Sequence, residues 1–171
     1  MRIAIAALGV VVLGGASLFA LSGRAESKQQ LEVSGSGTHY FTTAIVHSQE
    51  PTPEQWMTQR STDIVELRGD LEGYLLYHVT SEIVDGTMVN TGKQAFSGTI
   101  GGSEPLYLFD DEFRFDVDLA TGATTGIVKL RESKDAREGK YRCDLEVIGT
   151  GLTPEGNASV SYTGTCEEFG G

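Results

Sequence analysis

Basic residues are scarce in this sequence, which has 13 Lys and Arg against 24 Asp and Glu and a formal net charge of −11 over 171 residues. A surface this acidic repels phosphate groups, so we expect no binding to nucleic acid and no docking on anionic lipid. Internal repeats, heptads and low-complexity runs are also absent, which excludes a repeat array or a coiled coil. Solubility is the simplest reason for the acidic balance, ahead of a specific cationic partner.

Signatures of catalysis and of metal binding are missing as well. The three histidines, His39, His47 and His78, are scattered, and none has metal-ligand spacing with another His or Cys. The carboxylates within residues 110–118 lack the glycine-containing loop of a Ca²⁺ site, so we expect them at solvated strand edges and turns. No Gly-x-Ser-x-Gly signature is present. We therefore expect no metal and no cofactor, and no motif indicates an enzyme.

A long apolar run occurs only at the N-terminus. Residues 3–22 carry no charge, follow the basic Arg2 and lead into small residues. This layout is typical of a secretory signal peptide that is cleaved after Ser22 or Ala25. An uncleaved membrane anchor is the alternative, because 20 uncharged residues can just span a bilayer. The Gly, Ala and Ser content of the run favours cleavage.

The sequence therefore predicts a signal peptide over residues 1–25 and a single exported domain over residues 26–171, either periplasmic or secreted. Removing Arg2 and Arg24 with the signal leaves 11 basic residues against 24 acidic ones, a net charge of −13. The protein would contact a membrane only through residues 3–22, if these stay attached. No pattern in the residues indicates an oligomeric state.

Helical periodicity is almost absent from residue 31 onward, where short apolar runs alternate with glycine-containing turns. Phe113, Phe115 and Val117 alternate with charged residues, and a period of two is typical of a strand with one buried face. Short strands at roughly ten-residue spacing predict an all-β fold, a closed barrel or alternatively a β-sandwich. We expect strands over residues 31–33, 40–46, 64–68, 74–79, 87–90, 94–100, 106–118 (one strand or two) and 126–130.

One short helix is expected near Trp56. Thr52 can cap this helix, Pro53 suits its first position, and a Gln three residues after Thr52 completes a capping box. Trp56 and Met57 would then pack against an end of the sheet, either as ordinary core contacts or as a cover over the mouth of a barrel. Residues 133–140 are expected to form a charged, solvated connection between two strands.

Cysteine is rare, and the two positions it occupies are informative. Residues 153–156 form a turn sequence between two alternating runs. A hairpin centred there pairs Leu152 with Asn157 and, further from the turn, Cys143 with Cys166. The apolar residues of both runs share one face in the same register, so the two patterns agree. In an exported chain, facing cysteines predict a structural disulfide, ahead of a redox pair or a metal site, for which neither Cys-x-x-Cys nor clustered His is present.

Three glycine-containing motifs occur in an order that resembles a known family. They are Arg-Gly-Asp-Leu-Glu-Gly at 68–73, Phe-Ser-Gly-Thr-Ile-Gly-Gly at 96–102 and Gly-Thr-Gly-Leu at 149–152, followed by an alternating strand that ends near Cys166. Over residues 62–166 the chain is similar to small bacterial β-barrel proteins related in fold to allene oxide cyclase and dirigent proteins. The resemblance implies a closed, calycin-like barrel of about eight antiparallel strands, with an apolar interior that is open at one end. No catalytic residue of the cyclase matches this sequence, so none is carried over.

Three functions fit this interpretation. The first is an exported protein that binds a small hydrophobic molecule in the barrel cavity, and the candidate ligand-binding residues are Tyr74, His78, Phe96, Phe113, Phe115 and Tyr162. The second is a cyclase or isomerase on the same scaffold, with His78 or Glu66 as its ionisable group. The third is an envelope protein with a structural or interaction role, which a barrel filled by its own side chains would favour.

Overall fold

The computed structural model describes residues 29–51, 57–131 and 140–169, and most of them lie in antiparallel strands. The strands are β1 (Gln29–His39), β2 (Ile45–Glu50), β3 (Met57–Gly69), β4 (Leu71–Val84), β5 (Thr87–Ile100), β6 (Leu106–Asp118), β7 (Thr124–Arg131), β8 (Lys140–Leu152) and β9 (Ala158–Phe169).

Eight of these strands close into a barrel. Each strand from β3 to β8 pairs with the next strand along the chain, β9 pairs with β1, and β1 pairs with β3 to close the barrel. β2 continues beside the first half of β3 and, in the described part of the chain, pairs with β3 alone. The predicted closed, antiparallel, all-β barrel is therefore confirmed, and the alternative β-sandwich is not formed.

Two parts of the predicted strand pattern differ from the structure. The run 40–46 is interrupted by one 3₁₀ turn over Phe41–Thr43, so β1 and β2 are separate segments along the same edge of β3. Conversely, the two strands predicted over residues 87–90 and 94–100 are one strand, because β5 runs through Gly92 without a break. A Cβ atom at Gly92 would lie 1.9 Å from the carbonyl oxygen of His78, so glycine allows β4 and β5 to approach closely there. Residues 106–118 form a single strand, β6.

Three predictions fall wholly or mostly outside the residues that the structure describes. They are the signal peptide over residues 1–25, the start of the short helix at 52–56 and most of the charged connection at 133–140. Met57, which was expected in that helix, is instead the first residue of β3 and pairs with Ile83 of β4. Cleavage of the signal and the packing of Trp56 stay predictions.

The β8–β9 hairpin has the predicted register over most of its length. Val147 pairs with Tyr162, and Cys143 pairs with Cys166. The two cysteine sulfurs are bonded to each other, which confirms the predicted pairing. Both residues are at most 1% exposed, so the bond belongs to the barrel core.

The tip of this hairpin differs from the prediction by one residue. The register shifts between Gly149 and Gly151, so Leu152 pairs with Ala158 rather than with Asn157. Gly151 has a φ of +128°, a conformation that glycine adopts without the steric cost of a side chain. The resulting bulge accounts for the shift.

Inward side chains fill one half of the barrel and leave the other half open. The largest apolar residues that are almost completely buried in the filled half are Leu71, Phe96, Ile100, Leu108 and Leu130. Burying one such side chain contributes about 1.5–3 kcal/mol, so this half is a main source of stability. The half that carries the β4–β5, β6–β7 and β8–β9 turns contains a cavity instead.

Candidate ligand-binding cavity

A cavity of about 580 Å³ occupies the half of the barrel that side chains do not fill. Residues of β1 and of β3 to β9 line it, and it opens at the end of the barrel where Phe41, Thr121 and Leu152 lie. This volume falls within the range of about 300–1,000 Å³ that is typical of small-molecule sites. At about 30 Å³ for each water-sized group, the cavity has room for about 20 non-hydrogen atoms.

Most of the cavity wall is apolar. Side chains from four strands take part, each of them at most 5% exposed: Val65, Leu75, Val128, Leu145 and Val147. An apolar molecule that enters such a space removes its own surface and that of the wall from water. The wall therefore favours a hydrophobic ligand.

Three aromatic rings form a continuous surface on one side of the cavity. Tyr77 stacks on Phe113 with ring centroids 4.4 Å apart and an interplanar angle of 20°, and the Phe115 centroid lies 5.7 Å from that of Phe113. Glycines opposite these rings provide the space: Gly92 pairs with Phe113, and a Cβ at Gly126 would lie 2.0 Å from the Phe115 ring. A flat ring of a ligand can stack on such a surface.

Polar side chains lie mainly on one side of the cavity and around its mouth. Gln59, Ser81 and Asn90 form one row across β3, β4 and β5. Ser61 and Asp63 follow on β3, further from the open end. Among the described residues, no lysine or arginine lines the cavity.

A hydrogen bond in the cavity wall joins His39 and Asp63. His39 Nε2 lies 2.8 Å from Asp63 Oδ2, and Asp63 is 6% exposed. Burial raises the pKa of Asp63, but the contact with His39 and the nearby Ser61 hydroxyl together outweigh it, so the pKa lies below its usual value. Asp63 is therefore a carboxylate at neutral pH, and the imidazole donates to it through Nε2. The second oxygen, Oδ1, is buried and accepts no hydrogen bond from the described residues.

Two buried tyrosines line the cavity. Tyr77 lies beside the His39–Asp63 pair, and Tyr162 lies at the floor of the cavity. Burial raises the pKa of Tyr77, and the negative charges of Asp111 and Asp63 raise it further. Burial also raises the pKa of Tyr162, although the hydrogen bond from the Leu71 amide, at 2.8 Å from the Tyr162 oxygen, acts against it. Both phenols are therefore protonated at neutral pH.

Half of the residues expected to contact a ligand border the cavity. Phe113, Phe115 and Tyr162 line it. Phe96 also points inward but is completely buried in the filled half of the barrel, outside the cavity lining. Ligand binding by the first three residues stays a prediction.

The assignment of Tyr74 and His78 to the cavity is wrong. Both lie on the outer face of β4, where Tyr74 is 55% exposed and His78 is also exposed. The inward face carries Leu75, Tyr77 and Val79. Because side chains alternate along a strand, an error of one residue transfers the whole set to the other face.

Glu66, the other ionisable candidate, also lies on an outer face. Its carboxylate accepts a hydrogen bond from the Tyr40 hydroxyl at 2.6 Å and forms an ion pair with Arg68. It is absent from the lining of the cavity. Its contacts connect neighbouring segments on the barrel surface.

His39 and Asp63 line the cavity, but neither is among the candidate residues predicted from the sequence. A signal for Asp63 was present, because it shares a period of two with Val65 and Leu67. Ile64, on the opposite face of β3, is also apolar, so the pattern of this strand alone does not decide which face is inward. His39 has no local signal, because its contact with Asp63 depends on the closure of β1 onto β3.

Within the described residues, no group of three or more His, Cys, Asp or Glu side chains could hold a metal ion. The same residues include no helix long and apolar enough to cross a membrane. Comparison with models of protein families, with curated proteins and with solved structures finds no match to this chain.

Proposed function

We propose that this protein binds a small hydrophobic molecule inside its barrel. The observation that carries the proposal is the cavity of about 580 Å³, with a mainly apolar wall and an opening at one end. Protein interiors are otherwise close-packed, with few voids larger than a water molecule. An eight-stranded barrel is wide enough for one small ligand when its side chains leave room. A filled interior would have favoured a purely structural role, so ligand binding ranks ahead of it.

The resemblance to barrels of the allene oxide cyclase type supports the same proposal, since it implies an apolar interior that is open at one end. We further propose that the protein works outside the cytoplasm. The Cys143–Cys166 bond suits an oxidising compartment, and the signal-like N-terminal run suits export.

Titration of the exported protein with N-phenyl-1-naphthylamine tests ligand binding, because this neutral dye brightens in apolar surroundings. We expect saturable binding of one dye per chain. Val147→Trp should weaken binding at least fivefold, because Val147 points into the cavity and is 5% exposed.

The matched control is Ile148→Trp. Ile148 is the next residue on β8, points outward and is 59% exposed, so the same substitution there should leave dye binding unchanged. Absence of saturable binding, or equal weakening by both substitutions, would contradict the proposal.

A cyclase or isomerase activity is the second candidate, and the His39–Asp63 pair is the observation that favours it. His39 Nε2 donates to Asp63, so the neutral form of the imidazole would carry its lone pair on Nδ1. A nitrogen held in this way can act as a general base in a proton transfer. The ionisable candidate is therefore His39 rather than His78 or Glu66.

Catalysis by this pair can be separated from binding. If His39 is the base, the wild-type protein should convert its bound molecule to an isomer, and His39→Gln should bind that molecule without converting it. Conversion at the same rate by both proteins would remove this candidate and leave ligand binding in place.

A further inference from the structure

We infer that the ligand is an amphiphile whose head group donates a hydrogen bond, a hydroxyl or a protonated amine, and that the His39–Asp63 pair receives this head group. The inference rests on the proposed function and adds the chemical class of the ligand. Anionic amphiphiles such as fatty carboxylates are excluded by the same reasoning.

The inward face of β3 changes from polar to apolar along the cavity. Read from the open end, its residues are Gln59, Ser61, Asp63, Val65 and Leu67, and all five line the cavity. An apolar body fits against the last two of these residues, beside the filled half of the barrel. A polar head group then lies nearer the mouth, at the level of the carboxylate.

The charges of the wall select the head group. Asp63 is ionised, and in the described part of the chain no lysine or arginine lines the cavity. His39 is the remaining basic side chain of the lining, and it already contacts Asp63 at 2.8 Å. An anionic head group would therefore enter an apolar space beside a carboxylate without a cation of its own, which is costly.

The Asp63 carboxylate also has a second oxygen that can accept a hydrogen bond. Oδ2 is engaged with His39, whereas Oδ1 is buried and accepts no hydrogen bond from the described residues. A buried acceptor without a partner costs free energy, and a ligand donor recovers it if the Asp63 side chain turns slightly to present Oδ1 to the cavity. A hydroxyl or ammonium bonded to an ionised carboxylate forms a charge-assisted hydrogen bond, which is stronger than a neutral one. Tyr77, which pairs with Asp63 across β3 and β4, adds an aromatic ring that also suits a cation.

Displacement of bound N-phenyl-1-naphthylamine by decan-1-ol, decylammonium and decanoate at pH 7.5 tests the inference on the exported protein. The three probes share a ten-carbon chain and differ only in the head group. We expect the alcohol and the ammonium each to displace the dye at a concentration at least tenfold lower than decanoate.

Decanoate that competes as well as the other two would overturn the head-group inference and leave ligand binding intact. Failure of the alcohol and the ammonium to displace a bound dye would overturn it as well. If the dye itself does not bind, the proposed function fails first, so the two failures are distinguishable.

Asp63→Asn removes the charge and keeps the size of the side chain. The preference for decylammonium over decanoate should fall at least tenfold in this variant. Glu82→Gln changes the net charge equally from the exposed outer face of β4 and should leave the preference within twofold of wild type. Equal losses in both variants would mean that the overall acidity attracts the cation, which contradicts the inference. The ranking of the three probes on wild-type protein stands as a test even if Asp63→Asn does not fold.

Discussion

The Tyr162 hydroxyl connects segments that are not neighbours in the sheet. Its oxygen lies 2.8 Å from the amide nitrogen of Leu71 at the start of β4 and 3.3 Å from the carbonyl oxygen of Arg68, while its ring belongs to β9. Gly35 of β1 lies between, where a Cβ atom would be 2.3 Å from the same oxygen. This hydroxyl satisfies a backbone amide at the filled end of the barrel, and a side chain without a hydroxyl cannot replace it.

Tyr162→Phe should therefore lower the free energy of unfolding by about 1–2 kcal/mol, because the buried Leu71 amide loses its partner. Tyr107→Phe is the control, since Tyr107 is 56% exposed on the outer face. Its effect should stay within about 0.5 kcal/mol. Urea unfolding of both variants measures the difference, and equal losses would contradict the role given to the hydrogen bond.

Tyr77 makes stability sensitive to alkaline pH. Burial raises the pKa of Tyr77, and the charges of Asp111 and Asp63 raise it further, whereas a tyrosine in an unfolded chain ionises near pH 10. Above that pH the native protein keeps a proton that the unfolded chain loses, so the free energy of unfolding falls as the pH rises. Urea unfolding from pH 9 to 12 should show a less steep fall for Tyr77→Phe than for wild type. Parallel curves for the two proteins would show that Tyr77 ionises as easily when folded.

Individual strands differ in how far their sequence predicts their placement. In the β8–β9 hairpin the apolar alternation agrees with the facing of Cys143 and Cys166, so two independent patterns determine one register. In β4 both faces carry large apolar residues, because Tyr74 and Leu76 are 55% and 41% exposed while Leu75 between them is 1% exposed. A period of two is weak there, and the inward face cannot be assigned from the strand alone.

The disulfide should supply a substantial part of the stability of its hairpin. It joins cysteines 23 residues apart in sequence, and closing a loop of that length contributes about 3 kcal/mol through the entropy of the unfolded chain. The double variant Cys143→Ala, Cys166→Ala should lose about that much free energy of unfolding, measured in guanidinium chloride. Dithiothreitol should destabilise the wild type by a similar amount and leave the double variant unchanged. A wild type whose unfolding does not respond to the reductant would mean that the bond is not formed.

The whole barrel depends on contacts between distant parts of the chain. β1 pairs with β9 on one side and with β3 on the other, and this closure brings His39 against Asp63. Local patterns predict strands and an all-β fold, and they leave open whether the strands form a closed barrel or a β-sandwich. They carry no information on which long-range pairs meet. Whether side chains fill the interior depends on how their total volume compares with the volume that the closed barrel encloses. For that reason the open cavity followed from the resemblance and not from the alternation of residues.

Native mass spectrometry of the protein purified from its own source tests the occupancy of the cavity most directly. We predict a reproducible additional mass of a small molecule that is lost when the protein is denatured. The size of that mass should suit a cavity of about 580 Å³, and its fragmentation should identify an apolar body. A bare chain in every preparation, lighter than the reduced form only by the two hydrogens of the disulfide, would contradict the proposal that this barrel holds a ligand.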